Sequence, residues 1–225
     1  MSSKQIKSKK RVADHGEVFT SEREVNAMLD LVKNESERID SRFLEPACGN
    51  GNFLIEILRR KLNVVASRYK KNQTDWERYA VVAVSSCYGV DIMEDNCVEC
   101  RERLYKHFET EYKKIYKKDI RQQILDVIKF ILSKNIVCGD ALTMKQSNGE
   151  PIAFAEWSAV NSHKMKRRDY TLSNLLETES YYTKISGNQM DMFNLFREQG
   201  TDLITPKAVG DFPLANFDEL HKEVK

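Results

Sequence analysis

The chain has 225 residues, a formal net charge of +2, 41% hydrophobic and 31% charged residues, and only 4 prolines and 9 glycines. This describes one soluble, helix-rich α/β domain with room for a short extension, and it excludes a histone-like polycation. No apolar run is long enough to cross a membrane, no signal-peptide core is present, and five cysteines without an export signal point to reduced thiols in a cytoplasmic protein.

Residues 1–13, with Lys4, Lys7, Lys9, Lys10 and Arg11, are polar and basic and read as a disordered tail. Asp14-His15-Gly16-Glu17-Val18-Phe19-Thr20-Ser21 follows. Ser21 and Glu24 have the spacing of a capping box, so a helix is expected from Glu22 to about Lys33, with Val25, Met28, Leu29 and Val32 as its apolar stripe. Phe43 and Leu44 then form a short strand that ends at Glu45-Pro46, because proline biases its predecessor to extended backbone and cannot donate to a ladder. Gly49 and Gly51 allow a tight turn and close backbone approach to a ligand, and Phe53, Leu54, Ile57, Leu58 and Leu62 recur at helical spacing beyond it. Glu45 beside this turn would repel a pyrophosphate and attract an ammonium or sulfonium group. No Gly-Lys-Ser/Thr follows the glycines, which removes a phosphate-loop reading.

The polar, basic stretch from Asn63 to Trp76 reads as a surface loop or helix end. An extra helix around Asp75–Val84 precedes a buried strand from about Ser86 to Val90, ending at Asp91. An acid at the carboxyl end of such a strand can accept both hydroxyls of a ribose or merely cap the next helix. Helices are expected from Met93 to about Lys117 and from Ile120 to Leu132; Cys97 and Cys100 lie inside the first, with no second pair or histidines to complete a zinc site. Ile136-Val137-Cys138 is a third strand, with Asp140 in its carboxyl-end loop. Three acids thus end three successive strands.

Leu44-Glu45-Pro46-Ala47-Cys48-Gly49-Asn50-Gly51-Asn52-Phe53-Leu54 resembles motif I of the N6-adenine group of S-adenosylmethionine (SAM) dependent DNA methyltransferases. Gly16-Glu17-Val18-Phe19-Thr20-Ser21 resembles their motif X, with Ser21 in place of the usual proline. Tyr88-Gly89-Val90-Asp91-Ile92 resembles motif II and Gly139-Asp140-Ala141-Leu142 motif III. The resemblance covers about Asp14 to Leu142. It implies a Rossmann-like fold, mostly a parallel sheet with helices on both faces, over residues 14–180, with 181–225 an irregular extension. It implies SAM as cofactor, with Thr20, Glu45, Ala47, Gly49 and Gly51 around its methionine part, Asp91 at the ribose and Asp140 at the adenine. DNA is the implied partner, in a restriction-modification or phage-related setting.

The family's catalytic tetrapeptide, Asn/Asp/Ser-Pro-Pro-Tyr/Phe, is absent, since no two of Pro46, Pro151, Pro206 and Pro213 are adjacent. Where a fourth strand is expected, Pro151 to Val160 reads as a buried edge strand with a packed tryptophan; Glu156-Trp157 offers an acid beside an aromatic in the tetrapeptide's stead. The catalytic residues are therefore unassigned. A second methyltransferase or specificity chain would supply them, a divergent site would replace them, or the chain is a catalytically inactive SAM-binding or DNA-associated subunit; an RNA or protein acceptor also fits the cofactor half. Lys164, Lys166, Arg167 and Arg168 form a basic cluster that would meet nucleic-acid phosphates or solvent. Gln189-Met190-Asp191-Met192-Phe193 resembles the pentapeptide that docks bacterial replication and repair proteins on the sliding clamp.

Overall fold

A computed structural model describes residues 6–161, 163–176 and 206–222. In chain order its elements are α1 (Lys9–His15), α2 (Glu22–Leu31), α3 (Lys33–Ser36), β1 (Phe43–Glu45), α4 (Asn52–Tyr69), α5 (Gln73–Ser85), β2 (Cys87–Asp91), α6 (Glu94–Tyr116), α7 (Gln122–Asn135), β3 (Ile136–Cys138), β4 (Ala153–Ala159), β5 (Lys164–Thr171), β6 (Gly210–Asp211) and β7 (Ala215–Asn216). The fold is mixed α/β. Strands β1, β2 and β3 form a parallel sheet in that order, with Glu45 opposite Gly89 and Asp91 opposite Cys138. β2 is central and buried throughout, whereas β1 and β3 are edges of three residues each.

Two helices fill each crossover, α4–α5 between β1 and β2 and α6–α7 between β2 and β3. α4 runs on to Tyr69, so the stretch expected as a surface loop or helix end begins as the end of that helix. Its lower half joins α5, α6 and α7 in a core built around Trp76, Phe108 and Tyr112, with Trp76 and Tyr112 stacked 5.1 Å apart. The Glu77 carboxylate is fully buried there, bonded to Tyr112 and paired with Arg121.

The two faces of the parallel sheet are covered differently. Two crossovers that step in the same direction with the same hand deliver their helices to one face. Cys87 of β2 packs with that helical layer; Leu44, Tyr88, Val90 and Val137 pack instead with Ile152, Phe154, Tyr170 and Leu172. Among the described residues the second face is therefore covered by the antiparallel β4–β5 hairpin and the helical turn after it. The hairpin crosses the sheet from end to end: Ile152 meets Gly139 beyond the carboxyl end of β3, while Glu156 pairs with Arg42, just before the amino end of β1.

Two expectations, for the amino-terminal tail and the carboxyl-terminal extension, are corrected. The basic tail is helical from Lys9, because Lys7 and Arg11 find Asp95 and Glu99 on α6, partners far away in sequence. The basic cluster, expected to meet nucleic-acid phosphates or solvent, lies on strand β5: Arg167 is buried against Phe212 and paired with Asp169, Lys166 pairs with Asp211, Arg168 stands opposite Glu156, and of the four only Lys164 is exposed. Residues 206–222, expected as irregular extension, add β6 and β7 to β5 and bury Phe217 and Leu220 in the main core. Strands of two residues carry no periodicity that a sequence can reveal. The clamp-like Gln189 to Phe193 lies outside the described residues. Among the described residues no helix is long and apolar enough to cross a membrane.

Candidate ligand cleft at the carboxyl ends of the parallel strands

Glu45 and Asp91 are the last residues of β1 and β2, and Asp140 lies two beyond the end of β3. The strand ends, the turn after β1 and the segment before α2 enclose a cleft of about 660 Å³, within the range of small-molecule sites. Thr20, Glu45, Ala47, Gly49, Asp91 and Asp140 all line it. Gly51 does not.

The two glycines serve different purposes. Gly49 has φ of +52°, a Cβ there would sit 3.0 Å from the Phe19 ring, and its N–H donates to Asp91 Oδ2 at 2.9 Å. Gly51 has φ of +89° and caps α4 from behind the cleft, where a Cβ would fall 2.6 Å from Cys100 Sγ. The turn is closed by Cys48 N–H donating to the Val90 carbonyl and Gly51 N–H to the Cys48 carbonyl, both at 2.8 Å.

The three acids are in different states. Asp91 accepts from Gly49 N, from Met93 N at 2.8 Å and from Asn96 Nδ2 at 3.1 Å, so of roughly four acceptor directions one remains. Asp140 accepts from Leu142 N at 2.9 Å through Oδ1 only. Burial pushes the Glu45 carboxyl above its ordinary range, against a single N–H from Ala47 at 3.3 Å. A hydrogen bond with Cys100, together with burial, pushes the Cys48 thiol strongly up, so it stays protonated and is no nucleophile.

The segment Gly16–Thr20 closes one side of the cleft. It is tied to α4 by Asn52 Nδ2, which donates to the Thr20 carbonyl at 2.9 Å, and to α6 by Asn96 Nδ2, which donates to Glu17 Oε1 at 2.7 Å. Arg11 donates to the same Glu17 oxygen at 2.6 Å. Ser21 caps α2 as expected: its Oγ accepts from Glu24 N while Glu24 accepts from its N–H. Ile92 and Leu142, 57% and 92% exposed, give the cleft an apolar rim.

Glu17, Asn96 and Phe19 are site residues that the sequence did not single out as such. Glu17 and Phe19 carried one signal, their place in the Gly16–Ser21 string, whereas Asn96 stood out only as a polar residue beside Cys97 on α6. Cys97 and Cys100 are helix residues as expected, and no group of potential metal ligands occurs among the described residues. Glu156 and Trp157 do not reach the cleft: they lie toward the amino end of the sheet, Glu156 paired with Arg42 and Trp157 Nε1 donating to Asn135 at 3.0 Å. The basic residues Lys164 to Arg168 of β5 lie toward that same end, since Arg168 stands opposite Glu156.

Among the described residues the lining holds carboxylates, amides and apolar groups but no lysine, arginine or histidine. Such a surface suits a ligand rich in hydrogen-bond donors that tolerates or carries positive charge, and it repels phosphates. Comparison with protein-family models, curated proteins and solved structures gave no match to this chain.

Proposed function

We propose that the chain binds SAM in this cleft and serves methyl transfer to adenine N6 in DNA, with the residues that handle the acceptor base supplied by a partner chain. The observation that carries the reading is the convergence of Thr20, Glu45, Asp91 and Asp140, drawn from four separate segments, on one cleft. The alternation from β1 through α4, α5, β2, α6 and α7 to β3 suits a Rossmann-like domain, in which ligands lie at strand carboxyl ends. The lining fits the cofactor: it offers acceptors for hydroxyls and amines, an acid near the glycine turn for a cationic centre, and no phosphate ligands. SAM supplies a methyl group on a sulfonium, whose sulfur takes the bonding electron pair when an amine attacks in line. The chain's own part is to hold that electrophile. Glu45 would face its cationic portion, Asp140 would accept from its adenine amine, and the Gly49 turn would admit close backbone approach.

Glu156 and Trp157 are engaged elsewhere, and the sequence lacks the tetrapeptide. That favours a second reading beside the first, a SAM-binding subunit without catalysis of its own. Calorimetry with SAM tests the common premise, and absence of binding removes both readings. Labelled SAM with mixed DNA, given to the chain alone and with products of neighbouring genes, separates them. Transfer only in company supports the partner chain; transfer by the chain alone sinks the non-catalytic reading. Asp91→Ala is expected to weaken SAM binding.

A further inference from the structure

Among the described residues, three that line the cleft carry a buried acceptor with no protein donor: Glu17 (Oε2), Asn96 (Oδ1) and Asn50 (Oδ1). Asn96 is 1% exposed and the Glu17 side chain 9%. Acceptors buried this deeply are rarely left unpaired, and Glu17 and Asn96 sit together in the lining of the cleft. Their orientation is set by the network. Asn96 Nδ2 donates to Glu17 Oε1 at 2.7 Å and to Asp91 Oδ1 at 3.1 Å, so the amide must present its nitrogen to the two carboxylates and its oxygen elsewhere. One amide nitrogen thus brings Glu17 beside Asp91 at the carboxyl end of β2.

Asp91 has three donors already, so a ligand that offers two donors here needs another acceptor. We infer that Glu17 Oε2 and Asn96 Oδ1, beside the one free direction of Asp91, accept the vicinal hydroxyls of a nucleoside sugar. Neutral hydroxyls suit the site better than a further cation, because Arg11 at 2.6 Å already balances Glu17. The inference rests on the reading of the cleft as a nucleoside-cofactor site and adds to it a residue from the amino-terminal segment.

Calorimetry of the full chain with adenosine and with 2′,3′-dideoxyadenosine tests it. The wild type is expected to bind adenosine at least about tenfold more tightly, the scale of losing hydrogen bonds to a charged acceptor. In Glu17→Gln the bonds from Arg11 and Asn96 keep the amide oxygen at the Oε1 position, which places a donor where Oε2 was; the preference should shrink to about twofold or less. Glu17→Asp, which keeps the charge for Arg11 but withdraws the oxygens from the cleft, should do the same and guards against a misfolded first variant. If the wild type binds both nucleosides equally, the inference falls while the cofactor reading stands. If either folded variant keeps the full preference, Glu17 is not the acceptor. If the wild type binds neither nucleoside nor SAM, both fall.

Discussion

Gly51 and Glu45 were both legible as site residues, but the structure gives them different kinds of importance. At Gly51 a side chain is excluded twice, by the positive φ and by Cys100 Sγ. Gly51→Ala should destabilise the chain by about 1–3 kcal/mol through overpacking and backbone strain. Adding Cys100→Ala should recover only the steric part; complete recovery in a denaturant titration would show that the backbone bears no strain there. At Glu45 the sign of the linkage matters. Its folded pKa is raised, so the folded chain holds this proton more tightly than the unfolded chain does. Stability therefore falls as pH rises through the window between the unfolded and folded values, and the ionised carboxylate is a burden at neutral pH. Glu45→Gln should raise the melting midpoint of the ligand-free protein at neutral pH, the difference closing on acidification. The same variant should weaken SAM binding, and wild-type affinity should decline as pH drops through the raised pKa. A Glu45→Gln chain that melts lower at pH 7 would contradict this.

At the level of elements, the sequence revealed what local rules control. The capping box at Ser21, the proline stop after β1 and the 3.6-residue periodicities of α4 to α7 were all visible, because each is set by neighbours in the chain. What stayed hidden depends on distant partners. Lys7 and Arg11 looked like a solvated tail, yet they lie against Asp95 and Glu99. Lys164 to Arg168 were expected to meet phosphates or solvent as a group, but alternate residues of a strand point to opposite faces and Arg167 turns inward onto Phe212. The α1 attachment is mostly ionic, with Asp95 pushed down to about 2 by its hydrogen bond with Arg11. Its contribution is present above the unfolded carboxylate pKa of about 3.9 and is lost as pH falls through about 2. Salt should loosen it at neutral pH. In about 1 M NaCl, or in Arg11→Ala, hydrogen exchange should accelerate over α1 and the Glu17 segment while α4 and α6 hold. Unchanged exchange would mean that apolar contacts hold α1.

For the whole molecule, the cleft residues were easier to foresee than the architecture that carries them. Motifs at strand ends are local strings, whereas the covering of the second sheet face depends on which way the chain turns after β3. Asp140 was readable; the hairpin crossing to Arg42 was not. Because the cleft draws on the amino-terminal segment and all three parallel strands, a bound ligand should stabilise the fold as a unit. SAM at about one hundred times its dissociation constant should add about 2.7 kcal/mol and raise the midpoint by roughly 5–10 °C in one cooperative transition. A midpoint that does not move would remove SAM as the ligand.

The short strands have one more consequence. Among the described residues β1 and β3 are the outer strands of the parallel sheet, and each is only three residues long. An unpaired edge is a template on which other chains can assemble, and its reach grows with its length. By ending β1 at Pro46, the chain keeps that template too short to seed fibres or chance dimers, while its backbone turns away at once to build the glycine loop. The residue that stops the strand thus also protects the protein from its own copies.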